Sequence, residues 1–544
     1  MFVRIKASPN SPRRSVQIVE SFRQNGSIKQ RILRHIGVAE NESHLQKLKE
    51  LAAFTIAQMK GNLQLSLFAA DEEAKLLMQN CEDDGAPLSV DLRQLREVSR
   101  ITVGFHEVYG SVYQQLGFDR LLGSRRVAST RVLRDLVMAR LAKPSSKLAS
   151  AEFLRRDFGL SINVDQIYRM MDHLDESAQT RLQNLARDAA FGLLGSRVDV
   201  LFFDCTTLYF ESFDEDALRQ KGMSKDRKTA ETQILLALLV TREGLPVGWR
   251  IYPGSQWEGH TLKDALVDIR RICSVERVVL VADAAMLSKD NIAVLNQQKQ
   301  NYIVAARLRN LPRAVEDEIL NRKAYKKLDG EQTYIETIYQ GQRLIVTYSP
   351  ERARKDAHER DRAVQKAGQR YDGKSVKQMA GHLSKYFKVE GKGYLQLDKE
   401  KIQADARWDG LHGMVTNMPD LTAQEACAHY HGLWQVEETF RLSKHDLAIR
   451  PIFHWTQRRI QAHVSLCFMA LTCLRWLTYT CELRYEKLSA EVIQTELAHV
   501  QTSILEHKKN HRRFAIPSAP TQHAKQLFKM VGKTLNSTPF EIFP

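Results

Sequence analysis

The chain has 544 residues, enough for two to four domains, with 43% apolar and 26% charged residues. That is the composition of an ordinary soluble globular protein, which excludes a disordered or fibrous chain. The charge is lopsided: 80 Lys and Arg against 64 Asp and Glu leave +16, a surplus that favours a polyanionic partner, nucleic acid first.

Seven cysteines lie scattered at 81, 205, 273, 427, 467, 473 and 481, without a CxxC pair. Their spacing and odd number predict reduced thiols in a cytoplasmic protein, with no disulfide framework or zinc site. The opening MFVRIKASPNSPRR lacks the apolar stretch of a secretory signal. The most apolar long segment, 462–479, is interrupted by His463 and Arg475 and predicts a buried helix, not a membrane span.

In chain order, 2–6 and 15–23 alternate like two strands around a polar turn, and 41–59 reads as a helix. Residues 71–87 are acidic, weakly patterned and linker-like. From 90 to 195 the periodicity is helical almost throughout. Within it, 145–172 predicts two helices separated by Gly159, with Asn163 or Asp165 capping the second. They resemble a helix-turn-helix that offers Gln166, Tyr168 and Arg169 to DNA, although any helical hairpin has the same pattern.

At Arg197 the pattern turns to strand. Segments 198–203, 233–241, 246–252, 277–282 and 302–307 are strand-like, with helices at 261–273 and 288–298. The order β-β-β-α-β-α-β predicts a mixed sheet with helices on its faces. Residues 310–409 break that rhythm. They carry strand pieces at 334–339 and 343–348 and the basic helix ERARKDAHERDRAVQKAGQR, and read as a β-rich insertion with a basic arm. A closing strand at 413–417 leads to a helix over 430–447, then helices over 456–479 and 486–506 and a basic, loop-rich tail.

Asp204 ends the apolar run VDVLFFD, and Asp283 ends RVVLVAD. An acid at the end of a buried strand is costly unless it is paired or binds a metal. The 430–447 helix adds a third acid. At about 100° per residue, Tyr430, Trp434, Glu437, Arg441 and Lys444 fall on one stripe, beside an apolar stripe of Leu433, Val436, Phe440 and Leu447. Three carboxylates select hard cations, Mg²⁺ or Mn²⁺. Two such ions about 4 Å apart activate an attacking oxygen and stabilise a leaving one at a phosphate. On a basic chain this points to phosphodiester chemistry. Asp214, Asp216 and Glu258 sit in polar loops and are expected to be solvated.

The strand order, with Asp at the ends of its first and fourth strands, resembles an RNase H-like core. The helix is similar to the Tyr-x2-Arg-x3-Glu-x6-Lys signature of the insertion-sequence-four superfamily of cut-and-paste transposases. Tyr430, Glu437 and Lys444 stand at those spacings, while Leu433 occupies the Arg slot, with Arg441 and Arg450 as candidate substitutes. The GMSKDR run at 222–227, Gln233 and the Tyr-Pro-Gly at 252–254 also resemble the family, as does the β-rich insertion. The resemblance spans about 198–463.

It implies a DDE transposase with Asp204, Asp283 and Glu437 as catalytic acids binding two Mg²⁺ or Mn²⁺ ions. Tyr430, Arg441, Lys444, Lys225 and Arg227 are then candidate DNA contacts. Trp434 is placed to stack on a flipped base or simply to pack. The implied partners are double-stranded DNA, as terminal inverted repeats and target, and a second copy in a homodimer. The implied setting is cytoplasmic and nucleoid-associated, of bacterial type, with no membrane. The implied domains are 1–70, a helical DNA-binding region at 88–195, a core at 196–309 and 413–480, an insertion at 310–412, and 481–544. A nuclease that cuts without joining and a non-catalytic DNA-binding descendant are the alternatives.

Overall fold

The computed structural model describes residues 1–8, 11–24, 27–39, 41–63, 90–195, 199–222, 230–272, 278–371, 386–390 and 394–542. The expected linker at 71–87 lies outside them. Three strands come first: β1 (Phe2–Ser8), β2 (Ser11–Gln24) and β3 (Ser27–Ala39) form an antiparallel sheet under the helix Glu42–Leu63. Only two strands were expected there. In β3 the run IKQRILRHI mixes cations into apolar positions, so its period of two is blurred.

β4 (Leu95–Thr102) lies where helix was expected. Five helices follow, Gly104–Gln115, Val127–Ala142, Lys147–Asp157, Val164–Met171 and Glu176–Leu194. Then comes the central sheet. β5 (Val200–Tyr209), β6 (Gln233–Thr241) and β7 (Pro246–Pro253) run antiparallel to one another. β8 (Val279–Ala282) lies parallel to β5, and β9 (Asn301–Ala306) parallel to β8. The resulting order, β9-β8-β5-β6-β7, is that of an RNase H-like core. β6, QILLALLVT, is buried along its whole length, as an unbroken apolar run in a sheet covered on both faces must be.

β10 (Lys326–Asp329), β11 (Gln332–Tyr339) and β12 (Gln342–Tyr348) follow, and β15 (Leu411–Thr416) joins β12 to β9. These strands extend the central sheet to nine, so the 310–412 segment does not make its main sheet separately. Only β13 (Phe387–Glu390) and β14 (Tyr394–Leu397) pair apart from it. The basic helix Pro350–Tyr371 leaves from the end of β12.

The long helix Gln457–Arg484 runs through the interior. It has the length and apolarity of a membrane span, but nearly all of it is buried inside the protein. A helix to 506 and a loop-rich tail were expected next. Instead the helix Ala490–His499 ends before β16 (Gln501–His507), β17 (Arg513–Pro517), the helix Gln522–Met530 and β18 (Phe540–Ile542). β16 pairs with β4, Ile101 opposite Thr502, in a sheet ordered β18-β17-β16-β4. Local periodicity carries no trace of a partner 400 positions away. Five described cysteines, at 205, 427, 467, 473 and 481, are free and buried.

Candidate active site

The site begins with two neighbouring strands. β5 and β8 pair in parallel up to Phe203 opposite Ala282, and the next residue on each is an acid, Asp204 and Asp283. Asp204 is half-buried and accepts the Cys205 N–H at 2.7 Å. Asp283 is exposed and accepts the Ala284 N–H at 2.6 Å, starting a single helical turn. Asp283 sits where strand gives way to turn, whereas Asp204 lies inside β5, which runs on to Tyr209 instead of ending at the acid as expected.

The third acid arrives on a helix that differs from the expected one. The expected continuous helix over 430–447 is three pieces: Ala423–His431, Trp434–Arg441 and a π-helical turn Leu442–Asp446. At the first break Gly432 and Leu433 donate to His429 and Tyr430 carbonyls in tight three-residue turns. At the second, Leu447 donates to Leu442, five residues back. A regular stripe at 100° per residue therefore does not run from Tyr430 to Lys444.

Gly432 explains the first break. Its φ of −65° suits any residue, so backbone freedom is not the reason for glycine. A β-carbon there would lie 2.3 Å from the Phe202 ring tip, two residues before Asp204. The missing side chain lets the helix pair come down onto β5, against which Trp434–Arg441 packs.

The three acids meet electrostatically at Tyr430. Its phenol is held well above its usual range by burial first, then by the negative charges of Asp283, Glu437 and Asp204. It therefore stays protonated and can donate. The His412 ring on β15 lies 4.6 Å from the Tyr430 ring. Burial, with the charges of Arg352 and His431, pushes His412 down to about 4, against the pull of Asp283. Arg352, on the basic helix, adds positive charge beside the acids. Among the described residues no three acid, histidine or cysteine side chains converge closely enough to hold a metal ion. The donor set nevertheless suits a divalent cation, being all carboxylate oxygen on two adjacent strands and a facing helix.

Buried polar contacts hold the segments around the Glu437 helix. Arg475 of the long helix donates to Gln435 Oε1 at 2.8 Å and to the Gly244 carbonyl at 2.7 Å. Arg140 donates to the Leu447 and Ala448 carbonyls at 2.9 and 3.0 Å. His463 contacts the Ile449 carbonyl at 3.0 Å through Nε2 and Lys147 Nζ at 3.1 Å through Nδ1. Past this clamp, Ile452 donates to the Tyr209 carbonyl at 3.2 Å, and the Arg450 guanidinium lies over the Tyr209 ring.

The transposase DDE domain family matches residues 196–473, just over half of the chain. The chain belongs to the DDE transposase family. Its residues 3–62 match the N-terminal domain of IS1634 family transposases. No curated protein matches. Among solved structures, the piggyBac transposase synaptic complex with hairpin DNA is similar at 9% identity and a TM-score of 0.39, over 73% of this chain and 76% of that one. The Mos1 transposase paired-end complex with left transposon end is similar at 10% identity and a TM-score of 0.15, over 29% and 53%.

The other candidate contacts of this transposase lie as follows. Trp434 is 47% exposed, with the Lys487 ammonium 5.6 Å from its ring centre. Arg441 is held by Glu438 at 2.8 Å and by Asp446 at 3.5 Å. Lys444 is half-buried in the π-turn, and Leu433, in the Arg slot, is buried. Lys225 and Arg227 lie outside the described residues. The neighbouring motif pieces pack together: Gln233 Nε2 donates to the Gly254 carbonyl at 3.0 Å, and a β-carbon on Gly222 would lie 2.1 Å from that same oxygen. In the helix-turn-helix segment Gln166 closes a capping box with Asn163. Tyr168 is covered by the Arg459 guanidinium, while Gln166 and Arg169 are exposed. Asp216 is exposed, as expected of a solvated loop acid, and also orders a turn through Arg219 at 2.6 Å and the Leu218 N–H at 2.8 Å.

Sequence reasoning missed His412, Arg352 as a neighbour of the site, Arg140 and Lys147. None carries a local signal. Each becomes visible only when distant segments meet.

Proposed function

We propose that this transposase moves an insertion sequence by a cut-and-paste route, hydrolysing phosphodiester bonds at the element's ends and joining the freed 3′-hydroxyls to target DNA. The carrying observation is that Asp204 and Asp283 follow the paired residues Phe203 and Ala282 of adjacent parallel strands, with the Glu437 helix packed against the first of them. These three acids would hold two Mg²⁺ or Mn²⁺ ions, which when bound would activate the attacking oxygen and stabilise the leaving one.

The chain's own residues supply the rest. Tyr430, kept protonated, donates to a phosphate oxygen near the cleaved bond. Arg352 and Lys444 offset the phosphate's charge, and Trp434 offers an exposed ring to a base. Arg441, engaged by Glu438 and Asp446, acts mainly by setting the helix surface. Lys225 and Arg227 remain candidate DNA contacts. The family placement we favour is the insertion-sequence-four superfamily, with Leu433 replacing its usual Arg.

The proposed partners are double-stranded terminal repeats, target DNA and a second copy of the chain, in the cytoplasm. Residues 88–195 and the exposed cations of the 350–371 helix would add DNA affinity to the core at 196–309 and 413–480. The remaining units in this division are 1–70, 310–412 and 481–544. A strand-transfer assay on a duplex ending in the element's repeat tests the proposal. Metal-dependent cutting followed by joined product is expected. Cutting without joining would make it a nuclease, and neither activity would sink the reading.

A further inference from the structure

Away from the acids, two arginines share one carbonyl. Arg34, on β3, donates to the Met530 carbonyl at 3.0 Å, and Arg484, at the end of the long helix, donates to the same oxygen at 2.6 Å. Met530 is the last residue of the helix Gln522–Met530, so a cation at that carbonyl complements the helix dipole. One guanidinium is enough for that purpose. The second is a like charge beside the first, and like charges brought together out of water are costly without a counter-charge.

The acidic groups that act on the pair among the described residues are the Tyr485 phenol and, for Arg484, the Cys481 thiol, neither of them a carboxylate. Neither arginine has a carboxylate partner among the described residues, and the Nε atoms of both are buried without any hydrogen-bond acceptor. Both line a cleft of about 180 Å³ whose described walls include no Asp or Glu. Its lining also includes the amide side chains Gln114 and Gln115. The field there is positive enough to be felt next door. His35 is lowered by burial, then by the charges of Lys529 and Arg484. Arg484 itself is pushed down to about 9, by burial and then by Arg34.

We propose that this cleft is a phosphate-binding site, in which Arg34 and Arg484 grip a tetrahedral oxyanion through the guanidinium edges that line it. Guanidinium forks match phosphate oxygens in pairs, which a spherical halide cannot exploit. The anion would supply the missing counter-charge and join β3 and the 42–63 helix to the ends of the helices 457–484 and 522–530. The site does not depend on the metal-binding acids. The phosphate would be either a free anion or one phosphodiester of bound DNA.

Titration calorimetry of the full chain with inorganic phosphate, against chloride at matched ionic strength, tests this. Saturable phosphate binding that is reduced at least about tenfold in Arg34→Gln supports the site with a free anion as ligand. If free phosphate does not bind, the salt dependence of duplex binding is compared. A slope shallower by about 0.9 in Arg34→Gln, as when one phosphate is no longer neutralised, supports the site with DNA as the source. Arg34→Lys, which keeps the charge but not the fork, should restore less than half of either effect. No phosphate binding together with an unchanged slope overturns the proposal, as does phosphate binding that Arg34→Gln leaves intact. Arg34→Gln carries the test because Arg484 sits in the long core helix, where a substitution endangers folding.

Discussion

Arg441 holds both carboxylate oxygens of Glu438, each at 2.8 Å, while Glu437, one residue earlier, has no ion-pair partner among the described residues. Two identical side chains thus have opposite surroundings. The Arg441 hydrogen bonds keep Glu438 below the usual carboxylate range, whereas Glu437 contributes to the field at Tyr430. Glu437→Gln should lower metal-dependent cleavage on the order of 100-fold or more while leaving duplex affinity nearly unchanged. Glu438→Gln should cost less than about 1 kcal/mol of stability, as partly exposed ion pairs do, and little cleavage. Parallel cleavage assays decide; a dead Glu438→Gln beside an active Glu437→Gln would reverse the assignment.

Asp204, inside β5, and Asp283, just past the end of β8, follow the last paired residues of two neighbouring parallel strands, yet among the described residues the three acids do not converge on one point. On the proposed mechanism a divalent ion would draw them together, and that binding should appear as stability. Mg²⁺ at about 100 times its dissociation constant should add about 2.7 kcal/mol. Thermal melts in Mg²⁺ and in EDTA would show it, and Asp204→Asn or Asp283→Asn should abolish the difference. An equal Mg²⁺ shift in both variants would mean that the ion binds elsewhere.

Gly432→Ala tests the close approach to Phe202. The added methyl must displace either the ring or the helix, at about 1–3 kcal/mol. Because Asp204 and Glu437 lie on the two sides of that contact, cleavage should fall by more than the stability loss explains. Melting temperature and cleavage rate together check this. A variant with wild-type values in both would show that the helix stands off the strand in solution.

Lys147 is fully enclosed beside His463 and near Arg140, and burial then pushes its ammonium down to about 7. Unfolded, it titrates near 10.5. Between these values the unfolded chain holds a proton that the folded one lacks. This contribution therefore favours folding more as pH rises from about 7 towards 10.5, by at most about 1.4 kcal/mol per pH unit, and is flat below 7. Lys147→Met should remove that slope. Urea unfolding of both proteins from pH 7 to 9.5 isolates it as a difference, because the buried tyrosines and cysteines are common to both. A constant difference across that range would mean that the lysine is already charged in the folded state.

Much of the core was legible because its signals are local. Runs such as VDVLFFD and QILLALLVT announce buried strands by composition alone, and an acid closing such a run stands out. The Glu437 helix was legible as helix but not in its phase. Gly432 looked like a tolerable first-turn glycine, whereas its cost is set by Phe202, more than two hundred residues earlier. The π-turn at Leu442–Asp446 likewise answers to its surroundings, with Arg140 and His463 holding the residues just beyond it. β4 and β16 were misread for the same reason, since each is stabilised mainly by the other.

The β4–β16 pairing also orders events in time. Ile101 cannot meet Thr502 until about 400 further residues have been made, roughly 20–80 s at bacterial-to-eukaryotic elongation rates. Throughout that interval β4 lacks this neighbour, while the strands carrying Asp204 and Asp283 are already synthesised. Completion of the fold is thus tied to the last part of synthesis. A copy of the gene truncated before codon 501 would leave β4 without its mate, so damaged elements would tend to yield chains for proteolysis and not partly active enzyme.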